Sequence, residues 1–142
     1  MFSTLDETIM VSSQIGTDAV AAAFAQGVTL IINNRPEGES DDQVPGAEIE
    51  AAARAAGIDY IAIPVTHSGF SEAQVRMMAD ALENAAGPVL AYCRSGTRST
   101  LLWALAQSSI GEHPAMLNEK AAQAGYDLTP VAALMEILQA KA

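Results

Sequence analysis

The segment Cys93-Arg94-Ser95-Gly96-Thr97-Arg98 holds the chain's one cysteine, two of its seven basic residues and a central glycine. Each residue type has a chemical use. A cysteine thiolate is a nucleophile. Glycine lets the backbone turn inward, and arginine offers a planar fork to oxyanion atoms. The segment follows the apolar run Val89-Leu90-Ala91-Tyr92 and leads into Ser99-Thr100-Leu101, so it reads as strand, loop and helix start. Such a junction presents unpaired backbone N–H groups and the positive end of a helix dipole, which stabilise an anion and favour thiolate over thiol. A lone cysteine after an apolar strand is more often a small buried hydrophobe. Core packing, however, gives no reason for Arg-Ser-Gly-Thr-Arg between a buried strand and a helix. The expectation is a nucleophile at Cys93, a ring closed by Arg98, and an anion held by Arg94, Ser95, Gly96, Thr97 and Ser99.

Accessory candidates lie elsewhere. Arg35 falls just past a strand end and is either a third cation for substrate or a salt-bridge partner of Glu37 or Glu39. His67, at a comparable strand end, could shuttle a proton; the alternative is a polar loop histidine. Asp41 and Asp42 sit in an acidic loop, read most simply as solvated. His113 precedes Pro114 and reads as a turn residue. Tyr92 and Trp103 read as packing residues around the cysteine loop, and the methionines at 77, 78, 116 and 135 as core filler. Two scattered histidines and one cysteine do not make a zinc site, and no cofactor is expected.

These residues need strands and helices to position them. Short apolar strands are expected at Ile9–Ser12, Val28–Ile32, Tyr60–Val65 and Val89–Tyr92, with residues 1–8 a ragged edge. Helices are expected over Ala19–Gln26 with Thr17-Asp18 as cap, Ala47–Ala56, Glu72–Ala85, Ser99–Ser109, Pro114–Ala124, and from Pro130 to the C-terminus with Thr129 as cap. Ser71 and Gln74 have capping-box spacing. Arg35–Gly46 is the longest loop. Alternating strands and helices predict an α/β fold, with a mostly parallel sheet flanked by helices on both faces. In open sheets of this kind ligands bind beyond the carboxyl ends of the strands, where the cysteine loop falls.

Composition narrows the field. At 142 residues, half of them hydrophobic, the chain fits a single domain over 1–142 with a real aliphatic core. A net charge of -10 argues against nucleic acid and anionic membrane as partners. One cysteine forbids an internal disulfide. Residues 1–15 lack the pattern of a signal peptide, and no apolar run is long enough for a transmembrane helix. A cytoplasmic setting is the expectation.

The cysteine loop resembles that of rhodanese-type sulfurtransferases. Protein tyrosine and dual-specificity phosphatases resemble it too, with five residues between Cys and Arg. Here four intervene, and Ser99 takes the phosphatase arginine position. The whole chain resembles the β-lactamase-hydrolase-like phosphatase family, through Asn33-Asn34-Arg35-Pro36-Glu37-Gly38-Glu39, Tyr60–Val65, the Cys93 loop with Trp103-Ala104-Leu105, and Ala124-Gly125-Tyr126-Asp127-Leu128. The resemblance implies a phosphatase-like fold with a helical C-terminal tail, chemistry at Cys93, and a metallo-hydrolase as possible partner. Labels in that family include both phosphatase and sulfur transferase. A ring one residue shorter is narrower and suits a single sulfur atom better than a phosphoryl group, so sulfur transfer through a Cys93 persulfide is the leading expectation. The substrate is then a sulfane-sulfur donor. The alternatives are hydrolysis of an anionic phosphoester through a Cys93 phosphocysteine, and a redox-sensing thiol. Phosphatases of this fold take a general acid from an aspartate on a separate loop. Thr66-His67-Ser68-Gly69-Phe70 carries no carboxylate, which leaves Asp41 and Asp42 to supply one.

Overall fold

A computed structural model describes residues 2–142. Strands β1 (Ser3–Thr4), β2 (Ile9–Ser12), β3 (Leu30–Asn33), β4 (Asp59–Ala62) and β5 (Val89–Tyr92) form one sheet in the order β1-β2-β5-β3-β4. All neighbours are parallel except β1, which runs antiparallel to β2. The strand β1 lies in the segment expected to be ragged. Two residues pair there, Ser3 with Val11 and Thr4 with Met10. The helices are α1 (Thr17–Ala25), α2 (Gly46–Ala55), α3 (Glu72–Asn84), α4 (Thr97–Ser109), α5 (Pro114–Gln123) and α6 (Ala132–Lys141), the last preceded by a 3-10 turn at Thr129–Val131.

β5 is central because every residue of Val-Leu-Ala-Tyr is buried and alternate side chains serve opposite faces. Val89 and Ala91 join Ile9, Val11 and Ile32 beneath α3, α4 and the C-terminal helices. Leu90 and Tyr92 join Ile31 beneath α1 and α2. The central run of α4, Leu101–Ala106, is apolar on all sides, and nine of the helix's thirteen residues are buried. It packs between the sheet and the helical tail, as an all-round apolar helix must. Trp103 lies within this core, fully buried.

Several expectations shift. Helix α1 starts from Gly16 with no side-chain cap, so Thr17 and Asp18 lie inside its first turn, where Asp18 faces the positive dipole end. The strand expected over Tyr60–Val65 is Asp59–Ala62, β4, a partly exposed edge strand because no strand covers its far side; beyond it the buried Ile63 and Val65 still donate to the Asn33 and Asn34 carbonyls at 2.9 Å. Ser71 and Gln74 form the expected capping box on α3. Helix α4 begins two residues earlier than expected, at Thr97, with Gly96 as its left-handed N-cap. Met78 and Met135 are core residues, while Met77 and Met116 face solvent. Among the described residues no helix is long and apolar enough to cross a membrane.

Candidate active site

The parallel register ends β2, β3 and β5 together at Ser12, Asn33 and Tyr92. The loops leaving those strands therefore meet at one edge. Their backbones interlock: Cys93 N–H donates to the Ser12 carbonyl at 3.3 Å, Asn34 N–H to the Tyr92 carbonyl at 2.8 Å, and Gln14 N–H to the Arg94 carbonyl at 3.4 Å.

Cys93 sits on the floor of this junction, with no solvent-exposed surface. Its Sγ accepts the Gly96 N–H at 3.1 Å. Gly96 reaches that position with φ at 87°, a left-handed conformation that disfavours any side chain. Around the rim, Arg94, Ser95 and Thr97 are exposed. Ser95 and Thr97 bond each other through their hydroxyls at 3.0 Å, which shapes the loop. Tyr126, from the segment after α5, donates its phenol hydrogen to the Ser95 carbonyl at 3.2 Å.

The Arg98 guanidinium is held from one side. Nη1 donates to Glu39 Oε2 at 2.6 Å and to the Val65 carbonyl at 2.7 Å, and Nη2 donates to Glu39 Oε1 at 2.8 Å. The Nε hydrogen and the second Nη2 hydrogen, side by side along one edge, bond no oxygen or nitrogen among the described residues, and the guanidinium lies within bonding reach of the Cys93 sulfur. That edge is the one an arginine uses to grip an oxyanion with two parallel bonds. Glu39 raises the pKa of Arg98 above its ordinary value, and nearby Cys93 adds to the effect. Reciprocally, the bond from Arg98, with help from Arg35, holds the Glu39 carboxyl at about 2, so it stays ionised.

Arg35 is buried, and each of its three nitrogens has a partner. Nε binds Glu39 Oε1 at 2.9 Å, Nη1 binds Gln14 Oε1 at 3.0 Å and Nη2 binds Ser40 Oγ at 3.1 Å. It fastens the long loop to the site, and of the two roles expected for Arg35 the salt bridge is the one present, with one hydrogen each on Nη1 and Nη2 left over. The pairing is with Glu39 and not Glu37, whose Oε1 accepts the Gly46 N–H at the start of α2 at 2.9 Å. Ser99 is buried and spends its hydroxyl hydrogen on Asn34 Oδ1 at 2.7 Å, so that hydroxyl faces the loop of β3 and does not donate to an anion. Asp41, Asp42 and His67 are exposed. Asp42 Oδ1 accepts from Ser40 Oγ at 2.7 Å, and this bond, with Arg35 and Arg94 nearby, lowers its pKa. His67 lies in the turn closed by Gly69 N–H on the Thr66 carbonyl, at 3.3 Å.

Two contributors were not singled out from the sequence. Glu39 was legible only as a salt-bridge partner for Arg35; the available signal was that clustered arginines in an acidic chain need a local counter-charge. Tyr126 gave no chemical signal, because its proximity to the loop comes from the packing of the C-terminal helices.

The sequence profile described as "Beta-lactamase hydrolase-like protein, phosphatase-like domain" matches residues 1–110. The chain belongs to this family. Its phosphatase-like domain is thus the β1 to α4 unit carrying Cys93, Arg98 and Glu39, while Tyr126 comes from beyond the matched residues. A "Beta-lactamase hydrolase-like protein" of Xylella fastidiosa (strain Temecula1) is 38% identical over 104 residues, covering 72% of this chain and 24% of the relative. The chain spans about a quarter of the length of that relative. Among solved structures, a Neisseria meningitidis protein provisionally named a phosphatase superposes with a TM-score of 0.84 at 29% identity, covering 96% of both chains. PTPMT1 superposes with a TM-score of 0.74 at 13% identity, covering 99% of this chain and 98% of that one, a likeness of fold alone. The phosphatase-like domain therefore has the α/β architecture of the protein tyrosine and dual-specificity phosphatases. The family resemblance stands, and the phosphatase alternative gains over the leading expectation of sulfur transfer.

Proposed function

We propose that the chain is a phosphatase that hydrolyses a phosphomonoester through a phosphocysteine at Cys93. The observation that carries the reading is the Nε/Nη2 edge of Arg98, not used by Glu39 or Val65 and held within reach of the Cys93 sulfur. A phosphoryl group carries oxygens spaced to accept both donors and keeps them while it is bound to Cys93, whereas a sulfur atom left on Cys93 carries none. Support also comes from the family description and from the phosphatase name of the Neisseria meningitidis protein.

The steps follow from the residues. The Cys93 thiolate attacks phosphorus, the S–P bond forms, and the P–O ester bond breaks with its electron pair on the leaving oxygen, which takes a proton from solvent water. Water then attacks phosphorus and gives up a proton to solvent, the S–P bond breaks, and phosphate leaves with the thiolate restored. Arg98 and the loop N–H groups hold the equatorial oxygens as charge develops. Cys93 is covered, so a small oxyanion must part the rim side chains to reach the sulfur. Glu39 is ionised and doubly paired and is no proton donor. Aryl phosphates, whose leaving groups need little protonation, are the expected best substrates.

The test is hydrolysis of para-nitrophenyl phosphate by the parent and by Cys93→Ser. Release of phosphate that depends on Cys93 supports the reading. Thiocyanate formed from thiosulfate and cyanide, by a protein inert toward the aryl phosphate, overturns it and restores the sulfur-transfer reading suggested by the four-residue spacing.

A further inference from the structure

The Tyr126 bond has a geometric consequence at Cys93. The Ser95 carbonyl and the Gly96 N–H belong to one peptide unit. In a planar trans peptide these two groups point in opposite directions. Tyr126 holds the oxygen end at 3.2 Å, and the nitrogen end then faces Cys93 Sγ at 3.1 Å. The peptide needs such a hold. Gly96 carries the left-handed φ of 87°, and the freedom that allows this conformation also allows the peptide to rotate away. The phenol lies so close to Gly96 that a Cβ built there meets Tyr126 Oη before any other atom. Bonds in series across one peptide also polarise each other, so a donor on the oxygen strengthens the N–H as a donor to sulfur.

The geometry points to Tyr126 as a positioning residue: through the Ser95–Gly96 peptide it aims an N–H at the Cys93 sulfur. The C-terminal helices thereby act on the nucleophile without touching substrate. Helix α5 ends at Gln123, and the chain turns at Gly125, with φ at 92°, to bring Tyr126 back over the loop. Leu128 and Val131, buried in the main core, fix that return. This inference rests on Cys93 as the nucleophile, but not on phosphate as the group transferred.

Tyr126→Phe removes the hydroxyl and keeps the ring. Two measurements read the effect without any phosphatase assay. The Gly96 amide proton resonance should move upfield as its bond to sulfur weakens. The rate of Cys93 alkylation by iodoacetamide, followed across pH, should have its profile displaced to higher pH. With an aryl phosphate, kcat should fall about three- to tenfold with KM within about twofold, the size of one lost neutral hydrogen bond. A parent-like amide resonance and alkylation profile in Tyr126→Phe would overturn the inference, whatever the turnover. If both shift while parent and variant alike leave phosphate esters intact, the inference stands and the phosphatase reading fails. Tyr126→Leu, which also removes the ring, should reproduce the amide shift of Tyr126→Phe; a shift in Leu alone would make the ring's packing responsible and overturn it as well.

Discussion

Glu39 and Arg98, 59 residues apart in sequence, form a two-bond ion pair, with Oε2 to Nη1 at 2.6 Å and Oε1 to Nη2 at 2.8 Å. The pair aligns the guanidinium plane and leaves its Nε/Nη2 edge turned away from Glu39. It also ties the long loop after β3 to the first turn of α4. Position and charge of the candidate anion site thus depend on a carboxylate outside the cysteine loop.

Glu39→Gln should lower kcat/KM for an aryl phosphate by about ten- to a hundredfold, because Arg98 loses its charged anchor. The change should also be visible in stability. The folded-state pKa of Glu39, about 2, lies below its ordinary 4.5, so its contribution is fully present above the ordinary value and fades as pH falls from there toward the folded value. Urea denaturation at neutral pH should show Glu39→Gln less stable on the order of 1–3 kcal/mol, allowing for solvent screening. The difference should shrink between about pH 5 and about pH 2. A constant difference across that range would remove the ion pair as its source.

Arg98→Lys preserves charge and loses the fork. An ammonium cannot bind both Glu39 oxygens, Val65 and an oxyanion at once. Steady-state kinetics should show a loss of about a hundredfold or more. Lysine at 98 with near-parent kcat/KM would mean that point charge alone suffices.

Gly96→Ala combines a left-handed φ of 87° with a clash against Tyr126. The backbone cost is about 1–3 kcal/mol, so the melting temperature should fall by several degrees. Adding Tyr126→Phe should return part of the loss, since the hydroxyl is the nearest obstacle. Strict additivity of the two changes would show that they do not meet.

Asp42 gives a contrasting expectation. It is exposed, bonded to Ser40, and held below the usual carboxylate range. A group that is ionised at working pH is a poor proton donor. Asp42→Asn should change kcat/KM by less than about threefold on an aryl phosphate; a drop of a hundredfold or more would make it the general acid after all.

Ser99→Ala would strand Asn34 Oδ1 in a buried setting where Asn34 Nδ2 already binds the Ile63 carbonyl at 2.9 Å. Thermal or urea denaturation should report a loss of about 1–3 kcal/mol.

Local chemistry was enough to read certain things from the sequence. Val89–Tyr92 is a buried strand because four consecutive apolar residues can only be satisfied by cover on both faces. The Ser71–Gln74 cap is a spacing of two side chains on one turn. Cys-Arg-Ser-Gly-Thr-Arg reads as a turn from buried strand to helix because strand, glycine and helix start are contiguous in the chain. Tertiary structure decided what depends on distance. The spare arginine of the sequence, Arg35, is spent on Glu39, Gln14 and Ser40 because the β2 and β3 loops converge on it. Ser99 turns inward to Asn34 because α4 begins at Thr97 and rotates its first residues toward β3. Glu39 and Tyr126 reach the loop from opposite parts of the chain, through parallel strand register and helix packing. Periodicity and propensity describe neighbours along the chain, and carry no information on which distant side chains meet at the end of a sheet.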